Sequence, residues 1–143
     1  FHDKKFAGFE IGNFETLAKR FAAHMEGTCY VARLCLQVLR GEDYHKMVRR
    51  LVVVGQNTNS DIWMQLCADV LGIEVEIPLY PEPAYGAALL AAASGTFGQD
   101  INKAIAKCVK IDKTYVPNPE KSAYYNQKFK EFVKTIEDTR SRL

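Results

Sequence analysis

The feature that most constrains this chain is the run Leu51-Val52-Val53-Val54-Gly55-Gln56-Asn57-Thr58-Asn59-Ser60-Asp61-Ile62-Trp63. Four consecutive apolar residues, mostly β-branched, predict a strand buried on both faces, as in a parallel sheet. Gly55 predicts its end, because a residue without a Cβ turns sharply and leaves room at the backbone for another group. Thr58, three residues before Asp61, reads as a capping-box variant opening a helix. That helix is expected to run through Leu66 and Val70 and to stop at Gly72 in the C′ position. Strand, polar turn and helix N-terminus in this order leave backbone N–H groups beside the positive end of a helix dipole, a natural seat for a nucleotide phosphate or another anion. A polar capping loop without a ligand is the competing account of Gln56-Asn57-Thr58-Asn59. The chain has neither a Gly-x-x-x-x-Gly-Lys-Ser/Thr phosphate loop nor a Gly-x-Gly-x-x-Gly fingerprint, which disfavours an unrelated dinucleotide-binding domain.

The flanking segments read as support. Phe6 to Ile11 alternates loosely and predicts a short edge strand. Asn13 is a plausible N-cap, with Glu15 in the first turn. Leu17, Phe21, Met25, Thr28, Ala32, Cys35 and Leu39 form one apolar stripe along the following helix, which Gly41 closes. Gly27 inside that helix costs about 1 kcal/mol against Ala, which predicts a close neighbour there. Glu26 and Arg33 are expected to form a partly exposed salt bridge. Glu42 to Arg50 reads as a solvated charged connection, its Lys46, Arg49 and Arg50 not a phosphate site. Glu74-Val75-Glu76-Ile77 alternates as a half-exposed second strand. Pro78, Pro81 and Pro83 stiffen the next loop, and Pro83 suits the first turn of a helix. Ala84 to Ser94 is rich in Ala and Gly and is expected to pack tightly on a sheet. A short helix over Ile101–Cys108 and an extended piece over Val109–Val116 follow, with Tyr115 partly buried. Asn118-Pro119-Glu120 is a helix start, and Tyr125, Phe129, Phe132, Val133 and Ile136 stripe the helix it opens. The order places the chain in the α/β class, with the Gly55 turn at the carboxyl edge of the sheet, the usual ligand edge.

At 143 residues, one domain over 1–143 is the expectation. A hydrophobic share of 48% with 25% charged residues fits a globular protein, and a net charge of +2 gives no case for nucleic acid or an anionic membrane as partner. No apolar run is long enough to cross a bilayer, and the start at Phe1 shows no signal-peptide core. Cys29, Cys35, Cys67 and Cys108 lack Cys-x-x-Cys spacing and, with His2, His24 and His45 scattered, suggest no metal cluster. They read as reduced core thiols of a cytoplasmic protein.

Three motifs carry a resemblance. Gly55 through Ser60, then Trp63, Gln65, Ala68-Asp69 and Leu71-Gly72, resembles the adenosine motif of the FGGY carbohydrate kinases. Glu82-Pro83-Ala84-Tyr85-Gly86-Ala87-Ala88 resembles a segment of the xylulokinase-like members. His24-Met25-Glu26-Gly27-Thr28-Cys29-Tyr30 with Arg33 resembles their Leu-Glu-Gly-x-x-Tyr-x-x-Arg helix. Together they cover nearly the whole chain in the family's order.

The resemblance implies part of a ribonuclease H-like domain of the actin and hexokinase ATPase superfamily, namely the latter part of the carboxyl-terminal nucleotide-binding domain. It implies ATP-dependent phosphoryl transfer to a ketose or polyol hydroxyl, xylulose favoured, with ATP/ADP and a sugar as partners. Mg²⁺ would accompany ATP, and no metal ligand is identified here. The nucleotide-binding positions it implies are Gly55, Gln56, Asn57 and Ser60. Gln56 and Asn57 stand where the family has glycines; Asn tolerates positive φ, whereas Gln56 adds bulk where the nucleotide comes close. No catalytic residue is carried over, because the family's catalytic aspartate and sugar site lie in other parts of the polypeptide. The chain alone is therefore expected to be inactive. An open sheet edge and apolar face predict self-association. A non-catalytic regulatory or binding module with a degenerate turn is the alternative. The helix over Ala84–Ser94 is implied to flank the cleft near the nucleotide.

Overall fold

The computed structural model describes residues 15–140. The expected strand over Phe6–Ile11 and Asn13 itself lie outside these residues, but the expected cap is corrected. Thr16 caps the first helix, its Oγ1 accepting Lys19 N–H at 3.2 Å, so Glu15 precedes the helix instead of sitting in its first turn. Helices α1 (Leu17–Arg40) and α2 (Tyr44–Met47) precede strand β1 (Arg50–Val52), and a single 3₁₀ turn (Gln56–Asn59) leads into α3 (Asp61–Leu71). Strand β2 (Glu74–Pro78), helices α4 (Pro83–Gly95) and α5 (Ile101–Cys108), strand β3 (Ile111–Tyr115) and helix α6 (Pro119–Arg140) complete the order.

The three strands form one sheet in the order β1-β2-β3, with β1 parallel and β3 antiparallel to β2. Leu51 pairs with Val75, and Val75 with Tyr115. The β2–β3 register shifts between Ile77 and Pro78, where a residue without an N–H cannot extend a regular ladder. Helix α3 lies between this sheet and the pair α1 and α6. One core cluster joins sheet to helix through Met64, Ala68, Leu71, Ile73, Val75 and Ile77, and it takes in Tyr44. A second joins α3 to α1 and α6 through Cys29, Tyr30, Val70 and Phe129. Full burial of each large apolar side chain is worth about 1.5–3 kcal/mol. The helix following the Gly55 turn is therefore the most heavily packed element.

Local signals held well. Gly72 closes α3 in the left-handed region at φ 67°, Gly41 ends α1, and Pro83 sits in the first turn of α4. Asn118 Oδ1 accepts the N–H groups of Glu120 and Lys121 at 3.0 and 3.1 Å, as a helix start requires. Tyr115 is half-buried, as expected.

Burial departs from expectation in several places. Among the described residues β1 is an edge strand, with Val52 and Val54 exposed, so the apolar run is not buried on both faces. β2 is the central strand instead: every residue after Glu74 is buried, including Glu76, whose carboxylate is held by Arg50 at 3.0 Å. The alternation of Glu74 to Ile77 suggested half-exposure because the pairing of Glu76 is invisible in the sequence. Along α1, Leu17, Phe21 and Leu39 are exposed, and so is Cys35, which is no core thiol. The inward side of α1 carries Met25, Cys29 and Tyr30, so the packed stripe is narrower and rotated from the expected one.

A Cβ on Gly27 would meet nothing within 4 Å, so no close neighbour explains that glycine. Arg33 does not pair with Glu26. It donates to Val70 O at 3.1 Å and lies over the Phe129 ring at 4.4 Å. The small-residue helix α4 packs mainly on α5 rather than on the sheet, and most of its surface is open. The charged connection holds a buried residue, Tyr44, whose hydroxyl donates to Leu71 O at the end of α3.

Candidate functional site

The candidate site is the turn between β1 and α3. Gly55 adopts φ 101° and ψ 179°, a conformation that excludes other residues by backbone strain and not by crowding, since a Cβ there would meet nothing within 4 Å. Its N–H donates to Pro81 O at 2.7 Å. Its carbonyl accepts twice from Thr58, from the backbone N–H at 3.1 Å and from Oγ1 at 2.7 Å. Thr58 is buried, so this pair of hydrogen bonds locks the turn from inside.

Thr58 is thus not the cap of α3. Ser60 is: its Oγ accepts Trp63 N–H at 3.3 Å, and Asp61 is the first helical residue. The capping-box expectation was displaced because Gln56–Asn59 closes a 3₁₀ turn of its own, which consumes the Thr58 side chain. Trp63 packs against both core clusters.

The four expected positions come together on one short arc. Gly55 and Ser60 are half-buried at its ends, and Gln56 and Asn57 are exposed between them. Neither Gln56 nor Asn57 has a positive φ, so the tolerance of Asn for left-handed backbone is not called upon. Thr58 is the first residue bonded back to Gly55, so the N–H groups of Gln56 and Asn57 precede the turn's own ladder. The arc lies beyond the carboxyl ends of the parallel pair β1 and β2, as expected.

Other groups position this arc and were not foreseen. Pro81 O tethers it to the loop before α4, where the Tyr80 and Tyr85 rings meet at 5.2 Å, tilted by 40°, and Tyr85 Oη donates to Cys108 O at 2.7 Å. At the start of α3, Asp61 accepts from Lys113 Nζ at 2.8 Å and from Tyr115 Oη at 2.5 Å. These two donors hold the Asp61 carboxyl below the usual range, the Lys113 bond contributing most. On the far side of α3, buried Asp69 accepts Asn118 N–H at 2.8 Å and Gln65 Nε2 at 3.0 Å. Its place in the Gln65…Ala68-Asp69 motif was the one sequence signal for it.

Two cavities adjoin α3. One of about 800 Å³ lies at its C-terminal end between α1, α2 and α6, reached by Arg33, Tyr44, Gly72 and Phe129. Another of about 560 Å³ is bordered by Glu26, Asp61, Asp69 and Tyr125. Neither is lined by Gly55, Gln56, Asn57 or Ser60. Among the described residues no group of three or more His, Cys, Asp or Glu side chains is placed to hold a metal ion. No helix among them is long and apolar enough to cross a membrane.

The chain is 26% identical over 131 residues to a xylulose kinase of Staphylococcus epidermidis, covering 91% of this chain and 26% of that protein. It is 34% identical over 119 residues to a ribulokinase of Bacillus licheniformis, covering 78% of this chain and 21% of that protein. The chain thus spans about a quarter of the length of such relatives. Among solved structures it matches xylulose kinase from Rhodospirillum rubrum with a TM-score of 0.72 at 24% identity, over 93% of this chain and 27% of the other. Ligand-bound xylulose kinase from Lactobacillus acidophilus gives a TM-score of 0.73 at 19% identity, over 90% and 26%. At these identities the likeness is one of fold alone, a mixed α/β fold. The model of the FGGY family of carbohydrate kinases, C-terminal domain, matches residues 3–95, more than half of the 143, and the chain belongs to that family.

Proposed function

We propose that this chain is the nucleotide-binding part of an ATP-dependent sugar kinase that phosphorylates a ketose or polyol hydroxyl, with xylulose the favoured substrate. The observation that carries the proposal is the arc from Gly55 to Ser60. It sits beyond the carboxyl ends of two parallel strands, is held from behind by Pro81 O and Thr58, and is open to solvent in front. The N–H groups of Gln56 and Asn57 are suited to a phosphate oxygen, and the capping Ser60 hydroxyl keeps its proton to donate. ATP, when bound, supplies the transferred phosphoryl group. Mg²⁺ would arrive with the nucleotide, and no residue of this chain is proposed as its ligand.

Phosphoryl transfer rests on positioning and electrostatics supplied from both walls of a cleft. A chain spanning about a quarter of its relatives offers one wall. By itself it is proposed to be inactive, with the proton-accepting aspartate and the sugar site supplied by the remainder of the parent protein. The same reading puts the parent in the cytoplasm, where free thiols stay reduced. The bare flanks at Leu17, Val38 and Ile62 support self-association of the isolated chain, which light scattering would refute by finding a monodisperse monomer.

One observation favours a second reading, a non-catalytic module. Two exposed side chains, Gln56 and Asn57, crowd the place where the resemblance implies glycines. A calorimetric titration with Mg-ADP, of the native protein and of a Gln56→Gly/Asn57→Gly double variant, separates the two. Binding by the native protein supports the kinase reading. Binding by the double variant alone supports the module, and silence from both in the full-length parent would defeat the nucleotide assignment.

A further inference from the structure

The larger of the two cavities lies at the far end of α3 from the Gly55 arc, and no residue of the arc borders it. Its volume of about 800 Å³ falls within the range of about 300–1,000 Å³ usual for small-molecule sites. Helix α6 presents one face to it: Ser122, Asn126, Lys130 and Lys134 recur every fourth residue and all border the cavity. Like charges at this spacing repel, and neither lysine has an ion pair among the described residues, whereas Lys128 on the same helix pairs with Glu131 at 3.0 Å. Arg33, which reaches the cavity from α1, is half-buried and also lacks a carboxylate partner among the described residues. Its Nη1 donates to Val70 O, but its Nε is buried with no partner, and so is Ser122 Oγ. The two acids that border the cavity, Glu42 and Glu137, are exposed and form no ion pair with Arg33, Lys130 or Lys134. Buried donors without partners and cations without counter-charge thus meet at one cavity, and an anion would relieve both.

We propose that this cavity is a binding site for a small organic oxyanion, a molecule with a phosphate or carboxylate head, held between Arg33 on α1 and Lys130 and Lys134 on α6. This does not depend on the nucleotide reading. The two lysines are exposed, so they meet the head group first and supply charge more than direction. Arg33 supplies direction. Val70 O engages only its Nη1, and the Nε–H and Nη2 edge is the fork that matches two oxygens of a phosphate or carboxylate. A small rotation of the half-buried guanidinium brings Nε–H to the ligand. The Ser122 hydroxyl and the Asn126 amide are placed to donate to the remaining oxygens, and Leu71 and Val133 give the organic body an apolar wall.

The experiment uses the full-length protein containing this chain. Its lysines are acetylated with a water-soluble N-hydroxysuccinimide ester in sodium phosphate, sodium malonate or sodium chloride at equal ionic strength, and each site is quantified by mass spectrometry. Phosphate or malonate is expected to slow acetylation of Lys130 and Lys134 by roughly threefold or more against chloride. Lys107 and Lys110, which are exposed and do not border the cavity, should react equally in all three salts. Protection by phosphate alone, or by malonate alone, supports the site and identifies its head group. In calorimetry a Lys130→Gln/Lys134→Gln double variant, altered only at exposed positions, should bind the protecting anion roughly tenfold more weakly, and Gly55→Ala should bind it as the native protein does. Equal acetylation in all three salts, or an unchanged affinity in the double variant, would overturn the proposal. So would a loss confined to Gly55→Ala, which would move the anion to the arc.

Discussion

Replacing Asp69 by Ala is expected to loosen the start of α6 from α3. The carboxylate is 2% exposed, and its Oδ1 receives Asn118 N–H at 2.8 Å and Gln65 Nε2 at 3.0 Å. Gln65 retains a second acceptor, Val116 O at 2.9 Å, so its loss is partial, whereas Asn118 N–H loses its partner. Lys121 stands 3.9 Å from Oδ2 with its side chain 63% exposed, and it adds little. One charge-assisted bond lost and one donor stranded together amount to about 3 kcal/mol. That corresponds to roughly 100-fold faster local opening. Hydrogen exchange followed by mass spectrometry on peptides within 119–140 reads it directly. Asp69→Asn keeps an acceptor of the same shape without the charge and should lose only about 1 kcal/mol. Native exchange rates in the Ala variant would refute the reasoning. So would an Asn variant as damaged as the Ala variant, because the bond geometry would then not be what matters.

Gly55→Ala should destabilise the turn by about 1–3 kcal/mol, because φ 101° strains any side chain, and should weaken Mg-ADP binding in calorimetry; unchanged affinity would detach the nucleotide from this arc. Arg33→Met should weaken the packing of α6 on α1 by about 2 kcal/mol through loss of the Val70 carbonyl bond and the Phe129 contact. Arg33→Lys should not rescue it in urea unfolding, since an ammonium cannot serve both partners as the planar group does. Asp61 titrates below the usual carboxylate range when folded, so its contribution is full above that range and is lost as pH falls through the folded value. Lys113 titrates above the usual lysine range, so its share holds below that range and is lost as pH rises through the folded value. Carboxyl NMR should show the Asp61 titration moving up in both Lys113→Met and Tyr115→Phe, further in the former; no movement in either would contradict the paired geometry.

What the sequence revealed followed the range of the interaction. Gly72, Pro83 and Asn118 act on backbone within a few residues of themselves, and each sits where its chemistry indicated. Burial of a strand depends on what lies beside it, and the apolar run before Gly55 could not disclose that it forms an edge among the described residues. Glu76 looked like an outward-facing residue because its partner Arg50 lies 26 positions away. The candidate arc divides likewise: its turn was expected from Gly55 and the helix that follows, while Pro81 O, Lys113 and Tyr115, which fasten it and that helix, come from distant segments and bear no local mark. Tyr44 was hidden by charged neighbours, although a tyrosine with a buried hydroxyl partner is as much core as a leucine.

Helix α3 is gripped at both ends. Ser60, Lys113 and Tyr115 fasten its first turn, and Arg33 and Tyr44 fasten the carbonyls of Val70 and Leu71 at its last. An 11-residue helix is about 16 Å long, so the two anchorages are separated by roughly the thickness of the packed layer. A rod fixed in this way has little freedom to slide or rotate about its own axis. A displacement imposed at the Gly55 arc is then passed to α1 and α2 as tilt of the whole rod, not absorbed by slippage along it. Amides at the two ends of α3 should accordingly exchange as one cooperative unit, and independent fraying of the Val70–Leu71 end would show the far grip to be idle.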